Sequence, residues 1–242
     1  MLTGFSLIEM DETESTNSVA KEKAVAGAPE GTVIRAKRQT AGRGRRGNSW
    51  ESPEGNLYVS FVFRPKVDAA AAGQLSFLIG IAVAQALTDF LPKERKIELK
   101  WPNDVLVGRK KIAGILLESE INGSGPVAWV VAGIGVNLVP VSIENSTSVE
   151  TEGGGRIDPA VFLENLAGRI LDWNNIWQGF GFEPVRQAWL GMAAGLGEGL
   201  IARLPSEEVK GVFSGMNPDG ALILRLPDGA ERLISSGEVF FG

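Results

Sequence analysis

The sequence predicts an α/β (α+β) fold, with a mixed α/β domain up to about residue 194 and a small all-β module after it. Up to Leu190, stretches with the two-residue period of strands alternate with stretches of helical period. The composition changes near Gly195-Leu196-Gly197, and short alternating stretches follow, separated by turn signals such as Asn217-Pro218-Asp219-Gly220. Such spacing is typical of a small closed β-barrel. We therefore expect two domains, residues 1–194 and 195–242.

The first half of the larger domain contains alternating strands and helices. Strands are predicted at residues 5–10, 32–38 and 57–63. The helix after the first strand has Ser15 or Thr16 as its N-cap and Gly27 just beyond its C-terminus. The clearest helix follows, because its apolar residues recur at the spacing of one buried face. These residues are Leu75, Leu78, Ile79, Ala82, Val83, Ala86, Leu87 and Phe90.

The second half begins with short strands at residues 96–100, 104–107 and 111–119. A tight hairpin at Gly108-Arg109-Lys110 joins the last two. The nearly all-apolar run 127–138 predicts a central strand covered on both faces. Residues 140–156 are polar and are expected to form a mobile surface loop. Asp158-Pro159 then begins a helix, and Trp189 lies in a second helix after it.

The composition restricts the chemistry that is possible. The chain contains no histidine and no cysteine, which excludes Ser-His-Asp triads, Cys-His pairs and zinc or haem sites with these ligands. The remaining groups, with bound Mg²⁺, suit reactions in which the protein positions anions and neutralises charge. The lack of cysteine suits a reducing cytoplasm. We also expect no membrane span, because the longest apolar runs are too short, and we find no leader sequence.

One basic tract stands out against the net charge of −5. Residues 35–46 contain six basic residues and no acid, which calls for a nearby anion. Residues 42–47 (GRGRRG) have dinucleotide-binding spacing, but a turn-rich loop follows instead of a helix, so we reject that interpretation. The tract is then either a solvated loop that contacts RNA or a lid over an anionic small molecule. Its position between two strands and the nearby Trp50 favour the lid.

A second group of residues supports an anion site. Residues 101–104 (WPND) predict a rigid turn at a strand end, and Lys111 alternates with Ala113, Ile115 and Leu117 onto one strand face. A lysine in that position usually snorkels at the surface. If it is partly buried, its charge requires an anion. We expect Lys111 and the arginines of the basic tract to converge on the same ligand.

Five motifs resemble, in order and at family-like spacing, those of the bacterial biotin protein ligases (the biotin–[acetyl-CoA carboxylase] ligases). They are EST-N at 14–17, QTAGRGRRG-xx-W at 39–50, KWPND at 100–104, RKKIAGIL at 109–116 and GIGVN at 133–137. Each motif is weak, but five in order are highly specific. The resemblance implies a mixed-sheet catalytic domain of the biotin/lipoate ligase type, followed by an SH3-like β-barrel.

The resemblance also implies a reaction and its site residues. The family activates biotin with ATP and Mg²⁺ as biotinyl-5′-AMP, then transfers it to a lysine of the biotin carboxyl carrier protein of a carboxylase. The implied biotin contacts are Ser15, Thr16, Asn17, Gln39, Gly42, Arg43, Gly44, Arg45, Lys111 and Gly114. The implied ATP or adenylate contacts are Arg46, Trp50, Asn103 and Asn137. Lys111, Arg45 and Arg43 are the implied catalytic residues, and Asp104 is an indirect candidate for placing Mg²⁺.

Further expectations concern partners and alternatives. Only 13 residues precede the first motif, so we expect no sequence-specific DNA binding. Family members occur as monomers and as dimers, and the sequence is compatible with a monomer or a homodimer. The alternative enzyme is a lipoate–protein ligase, which should lack the glycine-arginine lid together with KWPND. The alternative of another class is a basic-loop nucleic-acid-binding protein.

Overall fold

The computed structural model describes residues 2, 4–121 and 125–242. The strands are β1 (Ser6–Thr13), β2 (Thr32–Gln39), β3 (Leu57–Phe63), β4 (Ile97–Lys100), β5 (Asp104–Val107), β6 (Lys110–Ile121), β7 (Val127–Val136), β8 (Gly199–Arg203), β9 (Glu208–Met216), β10 (Leu222–Arg225), β11 (Glu231–Ile234) and β12 (Glu238–Phe241). The helices are α1 (Thr16–Val25), α2 (Ala69–Ala72), α3 (Leu75–Thr88), α4 (Pro159–Phe180) and α5 (Phe182–Gly191).

Two sheets organise the chain. The first has seven strands in the order β1-β2-β3-β7-β6-β5-β4, and the second has five in the order β11-β10-β9-β8-β12. In the first sheet, β1 and β2 are parallel and the other neighbours are antiparallel. The second sheet is antiparallel throughout. The predicted α/β class, the mixed sheet and the terminal SH3-like β-module are therefore confirmed, and β7 is the central strand as expected.

Local signals for helix and turn boundaries are also confirmed. Ser15 is the N-cap of α1, and Gly27 adopts a φ of 89° beyond its end. The Asp158 carboxylate accepts a hydrogen bond of 2.7 Å from the Ala160 N–H at the start of α4. Gly108 and Arg109 have φ values of 56° and 66°, as the two-residue turn between β5 and β6 requires.

Helix α3 is buried on nearly every side, so the expectation of one buried face is wrong. Within it, only Gln85 and Thr88 are not buried. The first sheet covers one side of α3, and α4 and α5 cover the other. A helix enclosed in this way needs apolar residues all round, which the periodic pattern alone does not reveal.

The same burial explains a membrane-like segment. Ala69–Thr88 is long and apolar enough to cross a membrane by length and composition, so the expectation that no apolar run reaches that length is wrong. However, 78% of its most apolar window is buried inside the fold. The segment therefore has the character of a core helix.

The segment 140–156 is less exposed than expected. Thr147, Ser148 and Val149 are buried, and the Thr147 N–H donates to the Lys111 carbonyl over 2.9 Å. The Lys111 N–H in turn donates to the Asn145 carbonyl over 2.8 Å. The prediction of a surface loop is wrong for residues 147–149, because their backbone continues the hydrogen bonding of β6 and helps to fix Lys111.

Half of the basic tract is neutralised within the sheet. Strands β1 and β2 pair in register, which places acids of β1 beside bases of β2. The ion pairs are Glu9–Arg35 at 2.7 Å, Asp11–Lys37 at 2.7 Å and Glu12–Arg38 at 3.3 Å. The inference that all six bases need an external anion is therefore wrong. Arg43 pairs with Glu118 at 3.0 Å, so within the tract Arg45 and Arg46 remain as the candidates for binding one.

We expect Arg64→Ala to lower the free energy of unfolding by about 2 kcal/mol, because hydrogen bonds from charged groups contribute that much. The Arg64 guanidinium donates to the carbonyls of Ala24 at 2.7 Å, Ala28 at 2.9 Å and Ala128 at 3.1 Å, which ties the end of α1 to β7. Urea titration measures the change. Arg232→Ala, which removes one exposed ion pair, is the control and should cost less than about 1 kcal/mol. Equal losses in both variants would contradict this role.

Candidate active site

A cavity of about 130 Å³ lies on the face of the first sheet that carries α1, opposite α3. The start of α1, the lid (residues 42–50), the β4–β5 turn, β6, β7 and the β12 end of the second sheet surround it. The predicted site residues that line it are Ser15, Thr16, Asn17, Gln39, Arg43, Gly44, Arg45, Arg46, Trp50, Asn103, Asp104, Lys111 and Gly114. The fold thus brings thirteen of the fifteen predicted residues to one cavity.

Gly42 and Asn137 are not among the lining residues. A Cβ on Gly42 would lie 2.4 Å from the Trp50 carbonyl oxygen and 2.6 Å from Ser52 Oγ, so a side chain has no space there. Asn137 is 3% exposed, and its Nδ2 donates to the Thr147 carbonyl over 3.1 Å. In this structure the Asn137 side chain fixes the segment after β7 through its hydrogen bond to Thr147. Gly42 allows the two sides of the lid to pack closely against each other.

Polar side chains at one end of the cavity form a continuous network. The Gln39 side-chain oxygen accepts from the Thr16 N–H at 2.8 Å and from Thr16 Oγ1 at 3.1 Å. Ser60 Oγ lies 2.8 Å from Thr16 Oγ1 and 2.6 Å from Asn17 Oδ1. Ser60 is fully buried, and the sequence analysis missed it because it lies within the apolar strand β3. The network fixes the positions of donors and acceptors that a polar ligand ring requires.

Glycines of β6 and β7 form the floor of the cavity. A Cβ on Gly135 would lie 2.5 Å from the Trp50 ring, and one on Gly133 would lie 2.2 Å from Asn17 Oδ1. A Cβ on Gly114 would be 3.0 Å from Lys111 Cε and 3.1 Å from the Trp50 ring. The missing side chains therefore make room for Trp50 and Asn17 against the sheet.

Lys111 reaches the cavity because of a β-bulge. Leu106 pairs with Lys111 whereas Val105 pairs with Ala113, so Ile112 is an extra residue in β6. The prediction that Lys111 shares a face with Ala113 and the alternate residues beyond it is therefore wrong. The bulge shifts Lys111 to the face of Gly114, where its Nζ lies 2.7 Å from Asp104 Oδ1 and 5.1 Å from the centre of the Trp50 ring.

The β4–β5 turn anchors Arg45. The Trp101–Pro102 peptide is cis, and Asn103 Nδ2 donates to the Ile115 carbonyl over 2.9 Å. Arg45 Nη1 then donates to Asn103 Oδ1 over 3.0 Å. Burial and the adjacent Arg46 charge lower the pKa of Arg45, whereas Asp104 and Glu238 act in the opposite direction. An arginine remains charged under these influences, so it can meet an anion inside the cavity.

The lid itself is a short hairpin. The Trp50 N–H donates to the Gly42 carbonyl over 2.9 Å, and the Gly44 N–H donates to the Asn48 carbonyl over 2.7 Å. Residues 45–47 form a single 3₁₀ turn, in which Arg46 has a φ of 55°. No regular helix directly follows this turn. A dinucleotide-binding loop would be followed by a helix, so the structure agrees with the rejection of that interpretation.

Glu118 is a second residue that sequence reasoning missed. Its Oε1 accepts from Lys21 Nζ at 2.9 Å, and its Oε2 accepts from Asn17 Nδ2 at 2.9 Å and Arg43 Nη2 at 3.0 Å. Burial raises the pKa of Glu118, but the hydrogen bonds from Lys21 and Asn17 and the Arg43 and Lys21 charges outweigh burial, so its pKa is lowered overall. The available signal was an acid directly after the apolar run of β6.

The second sheet also contributes to the cavity. Gly237 and Glu238 line it, and the Trp101 indole N–H donates to the Gly220 carbonyl over 3.0 Å. Arg109 Nη2 lies 2.7 Å from Glu198 Oε1 across the same boundary. None of these contacts was predicted, since they join residues that are far apart in the sequence.

The arrangement combines positive charge with a polar end and a glycine floor. Lys111, Arg45 and Arg46 line the cavity, and among the residues that the structure describes no group of three acidic side chains could hold a metal ion. The site suits a small molecule that has both hydrogen-bonding groups and an anionic group.

Comparisons with known proteins agree with this geometry. A model of the Biotin/lipoate A/B protein ligase family matches residues 9–137, and one of the biotin protein ligase C-terminal domain matches residues 195–242. A biotin–[acetyl-CoA-carboxylase] ligase of Paracoccus denitrificans is 44% identical over 239 residues, covering 95% of this chain and 98% of the relative. The bifunctional ligase/repressor BirA of Bacillus spizizenii is 32% identical, covering 96% of this chain and 73% of the relative.

A solved structure is similar over nearly the whole chain. The biotin protein ligase from Aquifex aeolicus, in complex with biotin and ATP, is 28% identical. Its TM-score is 0.82, and the match covers 98% of this chain and 99% of that one.

Proposed function

The chain belongs to the biotin/lipoate A/B protein ligase family, and we propose that the cavity beneath its lid carries out a two-step biotin ligation. The protein is an ATP-dependent biotin–[acetyl-CoA-carboxylase] ligase. In the first step, a biotin carboxylate oxygen attacks the α-phosphorus of ATP and pyrophosphate leaves. In the second, a lysine amine of the acceptor attacks the carbonyl of biotinyl-5′-AMP, and AMP leaves.

The observation that carries the proposal is that two cations, Lys111 and Arg45, line the same cavity. Two like charges about 4 Å apart repel by about 4 kcal/mol at an effective dielectric constant near 20, so the first step needs compensation. Lys111 and Arg45 both line the cavity, which supports a role for them in compensating the charge of the two anions. Preorganised charges of this kind lower the barrier without a proton-transferring histidine. We assign Lys111 and Arg45 to this role.

We assign the polar network to the biotin ring. Thr16, Asn17 and Gln39 present donors and acceptors at the end of the cavity away from the second sheet, which suits a ureido group. We assign Trp50, Arg46 and Asn103, which also line the cavity, to the nucleotide. Asn137 contributes through the backbone that it supports.

We propose that ATP binds with Mg²⁺. Mg²⁺ is held in proteins by one or two carboxylates together with phosphate oxygens. Asp104 and Glu238 are the carboxylates that line the cavity, so the donor set fits a cation carried by the nucleotide. The ion would neutralise charge on the phosphates. Asp104 meanwhile orients Lys111 through their 2.7 Å ion pair.

We propose that the acceptor is the carrier domain of a biotin-dependent carboxylase, located with the enzyme in the cytoplasm. We also propose that residues 1–194 form the catalytic domain and that residues 195–242 form a separate barrel supporting the cavity through Glu238. The lid over the cavity would exclude water and so protect the mixed anhydride until the carrier docks.

The test is covalent labelling of a purified carrier domain. The enzyme, ATP, Mg²⁺ and carrier are incubated with biotin or with lipoate, and the carrier mass is measured. We expect the mass increase of one biotinyl group on a single lysine, and none with lipoate. Lipoyl transfer at a comparable rate, or no transfer with either acid, would overturn the proposal.

We expect the lid to be cleaved by trypsin at least about tenfold more slowly with biotin and ATP than without them, a difference of about 1.4 kcal/mol. Arg43, Arg45 and Arg46 of the lid line the cavity, so bound ligands would contact the lid and hold it in place. Cleavage within residues 43–46 is followed by mass spectrometry. Arg156, in an exposed loop, is the internal control site and should be cleaved equally in both states. Equal rates at the lid would contradict closure.

A further inference from the structure

Arg43 lines the cavity, but its guanidinium is held by side chains of α1 and β6. Its Nη2 lies 3.0 Å from Glu118 Oε2 and 3.3 Å from Ser18 Oγ, so its charge is already paired. Arg43 and Ser49 form an isolated bridge at the base of the lid hairpin. The Arg43 side chain therefore connects the first strand of the lid to α1 and β6, which are fixed parts of the fold.

Glu118 joins this contact to the polar network at the other end of the cavity. The same oxygen that receives Arg43 accepts from Asn17 Nδ2, and Asn17 Oδ1 lies 2.6 Å from Ser60 Oγ. Since Ser60 is also 2.8 Å from Thr16 Oγ1, one path of hydrogen bonds runs from the lid to Thr16.

The path continues to the second strand of the lid. Thr16 donates to the Gln39 side-chain oxygen, and Gln39 Nε2 donates to Ser52 Oγ over 2.9 Å. Ser52 Oγ in turn donates to the Trp50 carbonyl over 2.9 Å. Both ends of the lid are thus attached to the side chains that we assign to the biotin ring.

We propose that Glu118 is a positioning residue that latches the lid through Arg43, so that biotin bound at Asn17 and Thr16 holds the lid closed over the adenylate. The inference rests on the proposed function of the cavity. Biotin would immobilise Asn17. The immobilised Asn17 would orient Glu118 and so strengthen the ion pair of Glu118 with Arg43. Loss of the latch opens the lid, and biotinyl-5′-AMP escapes before it meets the carrier. Arg43 then acts through Glu118 and not on the reacting atoms.

The latch is tested by the release of adenylate in the absence of carrier. Enzyme, biotin, ATP and Mg²⁺ are mixed, bound and free biotinyl-5′-AMP are separated by rapid filtration, and release is expressed per bound adenylate. A change in the rate at which adenylate forms therefore does not alter the measured release. We expect Glu118→Gln and Arg43→Gln each to release adenylate about tenfold faster, equivalent to about 1.4 kcal/mol. Arg43 is 43% exposed, so Arg43→Gln tests the contact even if Glu118→Gln folds poorly.

Lys21→Gln is the matched control, because it removes a 2.9 Å ion pair from the same carboxylate and leaves Arg43 in place. Its release should match that of the wild type. The double variant Arg43→Gln/Glu118→Gln should release adenylate no faster than either single variant, since both break one contact.

Three results would overturn the latch: wild-type release from Glu118→Gln, release from Lys21→Gln equal to that from Glu118→Gln, or effects that multiply in the double variant. If the wild type forms no adenylate at all, the proposed function fails instead. The two failures are therefore distinguishable.

Discussion

Lys111→Ala should slow biotin-dependent exchange of pyrophosphate into ATP by about 10²–10³-fold, the loss found when a preorganised charge-stabilising donor is removed. Lys111 Nζ is poised by the Asp104 carboxylate at 2.7 Å and by the Trp50 ring below it. Without Lys111, the biotin carboxylate would approach the α-phosphate next to an unpaired Asp104, which adds repulsion. Both effects act on the adenylation step.

Lys110→Ala is the matched control for this experiment. Lys110 is the exposed neighbour of Lys111 on the same strand, and its removal changes the net charge equally. We expect its exchange rate to stay within a factor of about two of the wild type, since exposed substitutions change free energies by about 0.5 kcal/mol or less. Exchange in Lys111→Ala at the rate of the Lys110→Ala control would remove Lys111 from the mechanism.

Gly133→Ala should reduce biotin affinity by at least about 100-fold, equivalent to about 2.8 kcal/mol. The new Cβ would lie 2.2 Å from Asn17 Oδ1 and 2.8 Å from Asn17 Cγ, so Asn17 has to move. Its movement breaks the contacts to Ser60 and Glu118 that hold the polar end of the cavity. Isothermal titration with biotin measures the loss.

Gly168→Ala provides the control for the same chemical change. Gly168 lies in α4 with no atom within 4 Å of the position of a Cβ, so the methyl group meets no obstacle. Alanine in a helix interior is favoured over glycine by about 0.5–1 kcal/mol, so this variant should be slightly more stable and bind biotin normally. Biotin affinity in Gly133→Ala equal to that in Gly168→Ala would show that the glycine floor does not shape the site.

Local sequence signals predicted a turn-rich loop at residues 42–50 and the turns around it. Adjacent residues determine the conformation of three of these segments. They are the glycine-arginine run, WPND and the hairpin before Lys111. Strand β3 and the start of α1 were predicted for the same reason, because a short apolar run and an N-cap are local features. The fold then brings these separate segments to one cavity.

The face of β6 that Lys111 occupies could not be predicted. Side chains alternate along a strand, so one extra residue reverses the face of everything before it. Ile112 is that residue, but nothing in its type marks a bulge. The bulge is set by pairing with β5 on one side and by the backbone of Asn145 and Thr147 on the other.

Glu118 and Ser60 were missed for a related reason. Ser60 lies within an apolar strand, and Glu118 begins the polar end of β6, where an acid is usually solvated. Their roles depend on partners that lie far away in sequence, such as Arg43 and Asn17. The ion pairs of β1 with β2 were missed likewise. The acids of β1 lie beside the bases of β2 only because the two strands pair in the fold.

We propose, as the central claim, that biotin binds beneath the lid with its carboxylate at Lys111. The most direct measurement is a crystal structure of the wild-type protein with biotin and a non-hydrolysable ATP analogue. We expect the biotin ring within hydrogen-bond distance of Thr16, Asn17 or Gln39, its carboxylate beside Lys111 Nζ, and the lid closed over both ligands. Biotin density outside this cavity, or inside it with the carboxylate directed away from Lys111, would contradict the claim.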